Sequence, residues 1–170
     1  MKTIHLLFSL ALCLIGSSLF AQDGRIYKIE GTVFDKTDGK PLDGYIVEIY
    51  EKNNIVHSPD RGKKGRFEAS LSGGTEYTFD ISLNGYYPKR IVFKATAPGD
   101  VKKIPVLKFE TELIRKSDYE LIEKVDIFST SIFDLPYVIF EWNNELGEFS
   151  YRESYTEHMK QKYAEVSDLR

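Results

Sequence analysis

The sequence predicts a mainly β fold, an antiparallel β-sandwich followed by a short C-terminal β-hairpin and a helix. Three observations lead there. Apolar and polar residues alternate one by one through most of 26–96, the period of a strand with one buried face. Clusters of Gly, Asp, Asn and Ser interrupt the alternation about every 8–12 residues, the punctuation of an all-β domain. Only near the end, over 154–166, do apolar residues recur at helical spacing.

Taken in order, Tyr27, Ile29 and Val33 share one face of a first strand, opposite Lys28, Glu30 and Thr32. Gly31 falls on the inward face, where a missing side chain permits a close approach or a bulge. Residues 35–41, Asp-Lys-Thr-Asp-Gly-Lys-Pro, form a turn in which Gly39 supplies positive φ. Tyr45, Val47 and Ile49 then alternate with Ile46, Glu48 and Tyr50, and Phe67, Ala69 and Leu71 with Arg66, Glu68 and Ser70. After a turn at 72–75, Tyr77, Phe79, Ile81 and Leu83 alternate with Thr78, Asp80 and Ser82. Asn84-Gly85 is a strong turn dipeptide, with Gly85 expected at positive φ. It leads to Ile91 and Phe93, which alternate with Arg90, Val92 and Lys94.

Further on, Leu107, Phe109, Thr111 and Leu113 mark an extended segment able to complete the sandwich. The apolar stretches 121–125 and 127–133 are too short for periodicity to decide their type. Residues 135–142 read as a strand, 143–147 as a turn and 148–151 as a returning strand. In the helix 154–166, Ser154 is the expected cap and Glu157 sits at the capping-box distance, while Tyr155, Met159 and Tyr163 form a narrow apolar stripe.

Residues 1–21 have the layout of a secretory signal peptide. Lys2 is the positive start, Ile4 to Ile15 is an apolar run of 12 residues broken only by His5 and Ser9, and small residues follow at 16–18. A bilayer span needs roughly 20 apolar residues, so the segment is a leader rather than an anchor. Cleavage after Ala21 is preferred, with Ser18 the alternative. Cys13 lies inside the apolar run behind the bulky Leu12, which argues against a lipoprotein. No later apolar run reaches spanning length. Removing the leader takes away one lysine and the one cysteine, moving the net charge from −3 to −4 over the remaining 149 of 170 residues. The exported chain then has no disulfide and no thiolate metal site. Its mild acidity argues against a general nucleic-acid binder.

Several strings together carry a family resemblance: Ile29-Glu30-Gly31-Thr32-Val33, Asp38-Gly39-Lys40-Pro41-Leu42, Gly44-Tyr45-Ile46-Val47, Gly65-Arg66-Phe67, Gly74-Thr75-Glu76-Tyr77 and Asn84-Gly85-Tyr86. The chain resembles the carboxypeptidase regulatory-like domain of exported Bacteroidetes proteins. The resemblance implies an antiparallel seven-strand transthyretin-like β-sandwich over 22–114, with 115–170 as a C-terminal extension. Members serve as accessory modules and are not themselves peptidases. The usual Thr-Asp-x-x-Gly before the Gly-x-Phe strand is replaced here by the basic segment 58–65.

Catalytic chemistry finds little footing. Past the leader only His57 and His158 remain, with no HExxH pattern, too few ligands for a catalytic zinc. Tyr151-Arg152-Glu153-Ser154 is similar to the Tyr-Arg-Gly-Ser terminus of a transthyretin-like purine-pathway hydrolase. Glu153 replaces the glycine, however, and 16 residues follow. Asp35, Asp38 and Gly39 lack the spacing of an EF-hand loop. Two features could meet a partner. Arg61, Lys63 and Lys64 form a basic tip suited to an acidic surface. Tyr86 and Tyr87 are the aromatic pair expected to be most exposed, able to stack on a sugar or a peptide. The sequence therefore points to a non-catalytic exported protein of the periplasm or outer-membrane periphery. It is expected to need no cofactor and to act by contact with an envelope protein. The competing reading is a carbohydrate- or peptide-binding module.

Overall fold

A computed structural model describes residues 24–57, 62–119 and 133–168. The leader with Cys13, the basic residue Arg61, and the stretches 121–125 and 127–132 lie outside these. Nine strands are present among the described residues: β1 Ile26–Asp35, β2 Ile46–Glu51, β3 Asn54–His57, β4 Arg66–Ser72, β5 Thr75–Ser82, β6 Lys89–Ala95, β7 Leu107–Leu113, β8 Pro136–Asn143 and β9 Glu148–Tyr151. A helix, α1 Glu153–Asp168, follows. The strands form a three-stranded sheet of order β4-β1-β7 and a six-stranded sheet of order β3-β2-β5-β6-β8-β9.

The two sheets face each other across one apolar core, so the mainly β sandwich holds. The alternation places its inward residues correctly. Tyr27, Ile29 and Val33, then Tyr45, Val47 and Ile49, then Phe79, Ile81, Ile91 and Phe93 are each at most 2% exposed. Aromatic rings bridge the layers edge to face. Phe67 lies 5.8 Å from Phe109, and Tyr27 lies 6.0 Å from Phe93 and 5.7 Å from Phe149. Gly31 makes a close approach without a bulge. It pairs with Phe67 in unbroken register, and a Cβ there would sit 2.2 Å from the Phe67 ring. Gly39 and Gly85 take φ of 66° and 84°.

The antiparallel seven-strand arrangement requires correction. Both sheets are mixed: β1 pairs with β7 in parallel, Ile29 opposite Leu107, and β6 pairs with β8 in parallel, Phe93 opposite Phe140. Parallel neighbours need a crossover between them. Here β7 supplies it, because the chain leaves the large sheet at β6, crosses to the small sheet as β7 and returns as β8. The β8–β9 hairpin extends the large sheet, and Phe140 and Phe149 join the sandwich core.

The expected helix cap also differs. The helix begins at Glu153, one residue before Ser154, and the first helical bond runs from the Thr156 amide to the Arg152 carbonyl. Arg152 sits at the entry because its side chain is held elsewhere, by Glu141 on β8. No helix among the described residues is long and apolar enough to cross a membrane.

Candidate functional site

A cleft of about 940 Å³ runs along the β8–β9 hairpin and reaches Lys108 near the start of β7. The hairpin is local in origin. Asn143 accepts the amides of Glu145 and Leu146 through its Oδ1, and Gly147 takes φ of 66° to turn the chain back. Trp142 stands edge-on to Phe149 at 5.2 Å and is only half-buried. Tyr151 and Leu146, 43% and 63% exposed, extend the apolar surface. Around it stand Glu141, Glu145, Glu148, Arg152 and Glu153.

One ion pair organises the hairpin. Arg152 grips Glu141 with two parallel bonds, Nε to Oε1 at 2.9 Å and Nη2 to Oε2 at 2.5 Å, and Lys94 adds a contact at 3.5 Å. The Arg152 bond first, and its charge and that of Lys94 next, hold the Glu141 carboxyl below the usual range against the opposing effect of burial. Glu141 is thus an ionised strut, not a proton donor. A smaller hollow of about 550 Å³ lies on β2, β5 and β6, where Arg90 clasps Asp80 in the same bidentate way at 2.7 and 2.8 Å.

The residues singled out by sequence are placed differently. Lys63 and Lys64 are exposed on a tight turn before β4. The Lys64 amide donates to the Asp43 carboxylate, and the buried Gly62 lies against the Tyr45 ring. Tyr86 and Tyr87 are not an exposed pair. Tyr87 is 9% exposed and stacks face to face on Phe133 at 4.3 Å. Tyr86 donates its hydroxyl to Asp35 Oδ2 at 2.6 Å. Both rings lie inward because the chain between β5 and β6 packs against the segment that follows β7, with the Tyr87 amide bonded to the Ile114 carbonyl. The basic turn and Tyr86 both meet the end of β1, one through the Gly65 carbonyl on the Val33 amide and the other at Asp35.

Two buried polar side chains hold positions that the sequence reading did not give them: Asp35, read as a turn residue, and Lys89, not singled out. Asp35 is 1% exposed and accepts from Tyr86, from Arg115 Nε at 2.6 Å and from the Thr37 amide at 2.7 Å. Burial pushes its carboxyl upward, but these three donors outweigh it and the group sits below its ordinary range. Lys89 is the second. It shares the inward face of β6 with Ile91 and Phe93, is 7% exposed, and donates from Nζ to the Glu112 carbonyl at 2.8 Å. Its ammonium group lies 3.7 Å from the centre of the Tyr137 ring. Burial pulls its pKa down to about 7. The parity of Lys89 with Ile91 and Phe93 was the available signal.

Compared with known proteins, the chain matches no family model and no curated protein. Among solved structures it is similar to the Bacillus anthracis TIE protein, at 21% identity and a TM-score of 0.43, over 53% of this chain and 17% of that one. It is also similar to BcpA, the major pilin subunit of Bacillus cereus, at 17% identity and a TM-score of 0.41, over 52% and 29% of the two chains. A third is 3-chlorocatechol 1,2-dioxygenase from Rhodococcus opacus 1CP, at 11% identity and a TM-score of 0.38, over 58% and 63%. The match thus covers less than two thirds of each of these proteins.

Proposed function

We propose that the chain is a non-catalytic accessory module, exported to the periplasm or the outer-membrane periphery, that works through contact with another envelope protein. The cleft along β8 and β9 carries this reading, because it sets the exposed Tyr151 and Leu146 beside the half-buried Trp142 on one hairpin. Its charged groups favour holding over chemistry. Arg152 and Glu141 neutralise each other, and Lys89, whose pKa burial lowers to about 7, lies away from the cleft, buried under α1. The leader-like residues 1–21 support export. The turn glycines Gly39 and Gly85 at positive φ agree with a carboxypeptidase regulatory-like sandwich.

A second reading rests on Trp142 and Tyr151, since paired aromatics also stack on sugars. Photo-crosslinking from Leu146 in the intact envelope separates the two. A crosslink to a protein, lost when the label sits at the exposed Lys102 instead, supports the contact reading. Attachment to glycan alone supports the second reading and removes the first.

A further inference from the structure

We propose that the β9 edge takes up an extended, basic segment of a partner protein as an added strand. The proposal rests on the interaction reading above and names the partner's chemistry. β9 ends the six-stranded sheet, and among the described residues no strand pairs with its outer side. One bond reveals the phase of that side. The Arg152 amide donates to the Ile139 carbonyl at 2.8 Å, and alternate residues of a strand present their N–H and C=O to the same side. Ser150 and Glu148 therefore face β8, while Phe149 and Tyr151 turn their amides and carbonyls outward. The strand reads Glu-Phe-Ser-Tyr, without the Lys or Pro that commonly guards an exposed edge.

The cleft lies along this edge and offers what alternating side chains of an added strand need. Trp142 and Tyr151 give apolar contact, and the exposed Leu146 extends it at the turn. Charge then selects the occupant. Glu145, Glu148 and Glu153 line the cleft and have no ion-pair partner among the described residues. The two cations of the lining are already engaged, Arg152 with Glu141 and Lys108 with Glu30. A strand carrying Lys or Arg at alternate positions meets three uncompensated carboxylates. A second copy of this chain brings the same three carboxylates to the edge, so pairing of β9 with β9 opposes like charges.

Trp142 is the single tryptophan of the chain, and its fluorescence reports occupancy of the cleft. The probe is a short peptide alternating Lys and Val, titrated against the full chain beside a Glu/Val peptide of equal length. The Lys/Val peptide is expected to shift the emission saturably and the Glu/Val peptide to leave it unchanged. Two further peptides carry N-methyl groups on one or the other set of alternate amides. Only one set faces β9, so one methylated form should bind roughly tenfold or more weakly and the other about as well as the parent. Tyr151→Pro, which removes an outward N–H, should weaken binding as the first form does, and Tyr151→Val, which keeps it, should weaken it less. Should Tyr151→Pro fail to fold, the methylated peptides still decide. No saturable shift, equal binding of both methylated forms, or equal binding of the acidic peptide overturns the proposal. So does a concentration-dependent dimer that excludes the peptide. A protein crosslink at Leu146 together with binding that ignores methylation phase would end the strand mode and leave the interaction reading standing.

Discussion

The core between the sheets is built from every second residue of its strands, whereas the core under the helix is assembled from scattered positions that share no period. The first holds Tyr27, Val47, Phe79 and Phe93 with hardly an exposed atom. The second gathers Tyr87 between β5 and β6, Ile114 after β7, Phe133 before β8, and Met159 and Tyr163 of α1. Their polar content differs as well. In the sandwich core the Tyr45 and Thr111 hydroxyls are buried without a partner among the described residues, and desolvation lifts the Tyr45 pKa to about 12. The helix core encloses an entire lysine, and among the described residues the buried Thr156 and Tyr163 hydroxyls have no partner. Apolar burial thus holds the sandwich, while the helix is docked by a compromise of stacking, cation–π attraction and buried charge. The helix is therefore the part expected to respond to pH.

The sharpest contrast comes from truncating one residue in each core. Phe79→Ala removes a ring between Phe67 and Phe109, each 6.3 Å away, and is expected to cost about 3–5 kcal/mol of global stability by chemical denaturation. Met159→Ala should cost about 2–3 kcal/mol and loosen α1 first, seen as earlier loss of amide protection in 153–168 than in β1 and β5. Simultaneous loss of protection in both regions would merge the two cores into one cooperative unit.

Next in size is the pH response of Lys89. Its folded pKa of about 7 lies below its ordinary value of 10.5. Between those values the unfolded chain binds the additional proton, so stability rises with pH from about 7 upward and is flat below it. The slope approaches about 1.4 kcal/mol per pH unit. Lys36 adds repulsion, while Glu112 opposes the shift. Lys89→Met should remove this rise while Phe79→Ala keeps it, as read from melting midpoints at pH 7 and pH 9. A rise that persists in Lys89→Met would locate the titrating group elsewhere.

The smallest expected effect concerns the linkage between the two regions. Gly85, in the connection that leads from β5 to Tyr86 and Tyr87, takes φ of 84° with open space around it. Gly85→Val is therefore a backbone-strain substitution, expected to cost about 1–2 kcal/mol. An unchanged melting midpoint would show that the connection relaxes to another turn without disturbing either core.

Much of this was legible in the amino-acid order, and the rest was hidden for identifiable reasons. The inward set from Tyr27 to Leu113 follows from a period of two, because successive side chains of a strand point to opposite faces whatever lies beyond them. The hairpin of 135–151 shows in its turn residues. Tyr86 and Tyr87 looked exposed because they follow a turn dipeptide. They are inside because residues after β7, distant in sequence, close over them. Lys89 was passed over because a lysine at a strand start reads as surface, although its parity with Ile91 and Phe93 placed it inward. Trp142 and Tyr151 stood out as hairpin members, and Tyr151 in a hydrolase-like string, but nothing in the sequence joined them into one cleft.

By itself, the sequence determined most of the strands, which face of each is buried, and where the chain turns, but not β3 at Asn54–His57, which lies in a polar stretch without alternation. Those depend on backbone geometry over a few neighbouring residues. Only the tertiary structure decided the direction in which β7 and β8 join their sheets, the enclosure of Lys89 under α1, and the β9 edge that no described strand covers, beside an acidic, aromatic cleft. Each of these depends on which distant segments meet, and alternation along a strand is the same whether its neighbour runs parallel, antiparallel or is absent.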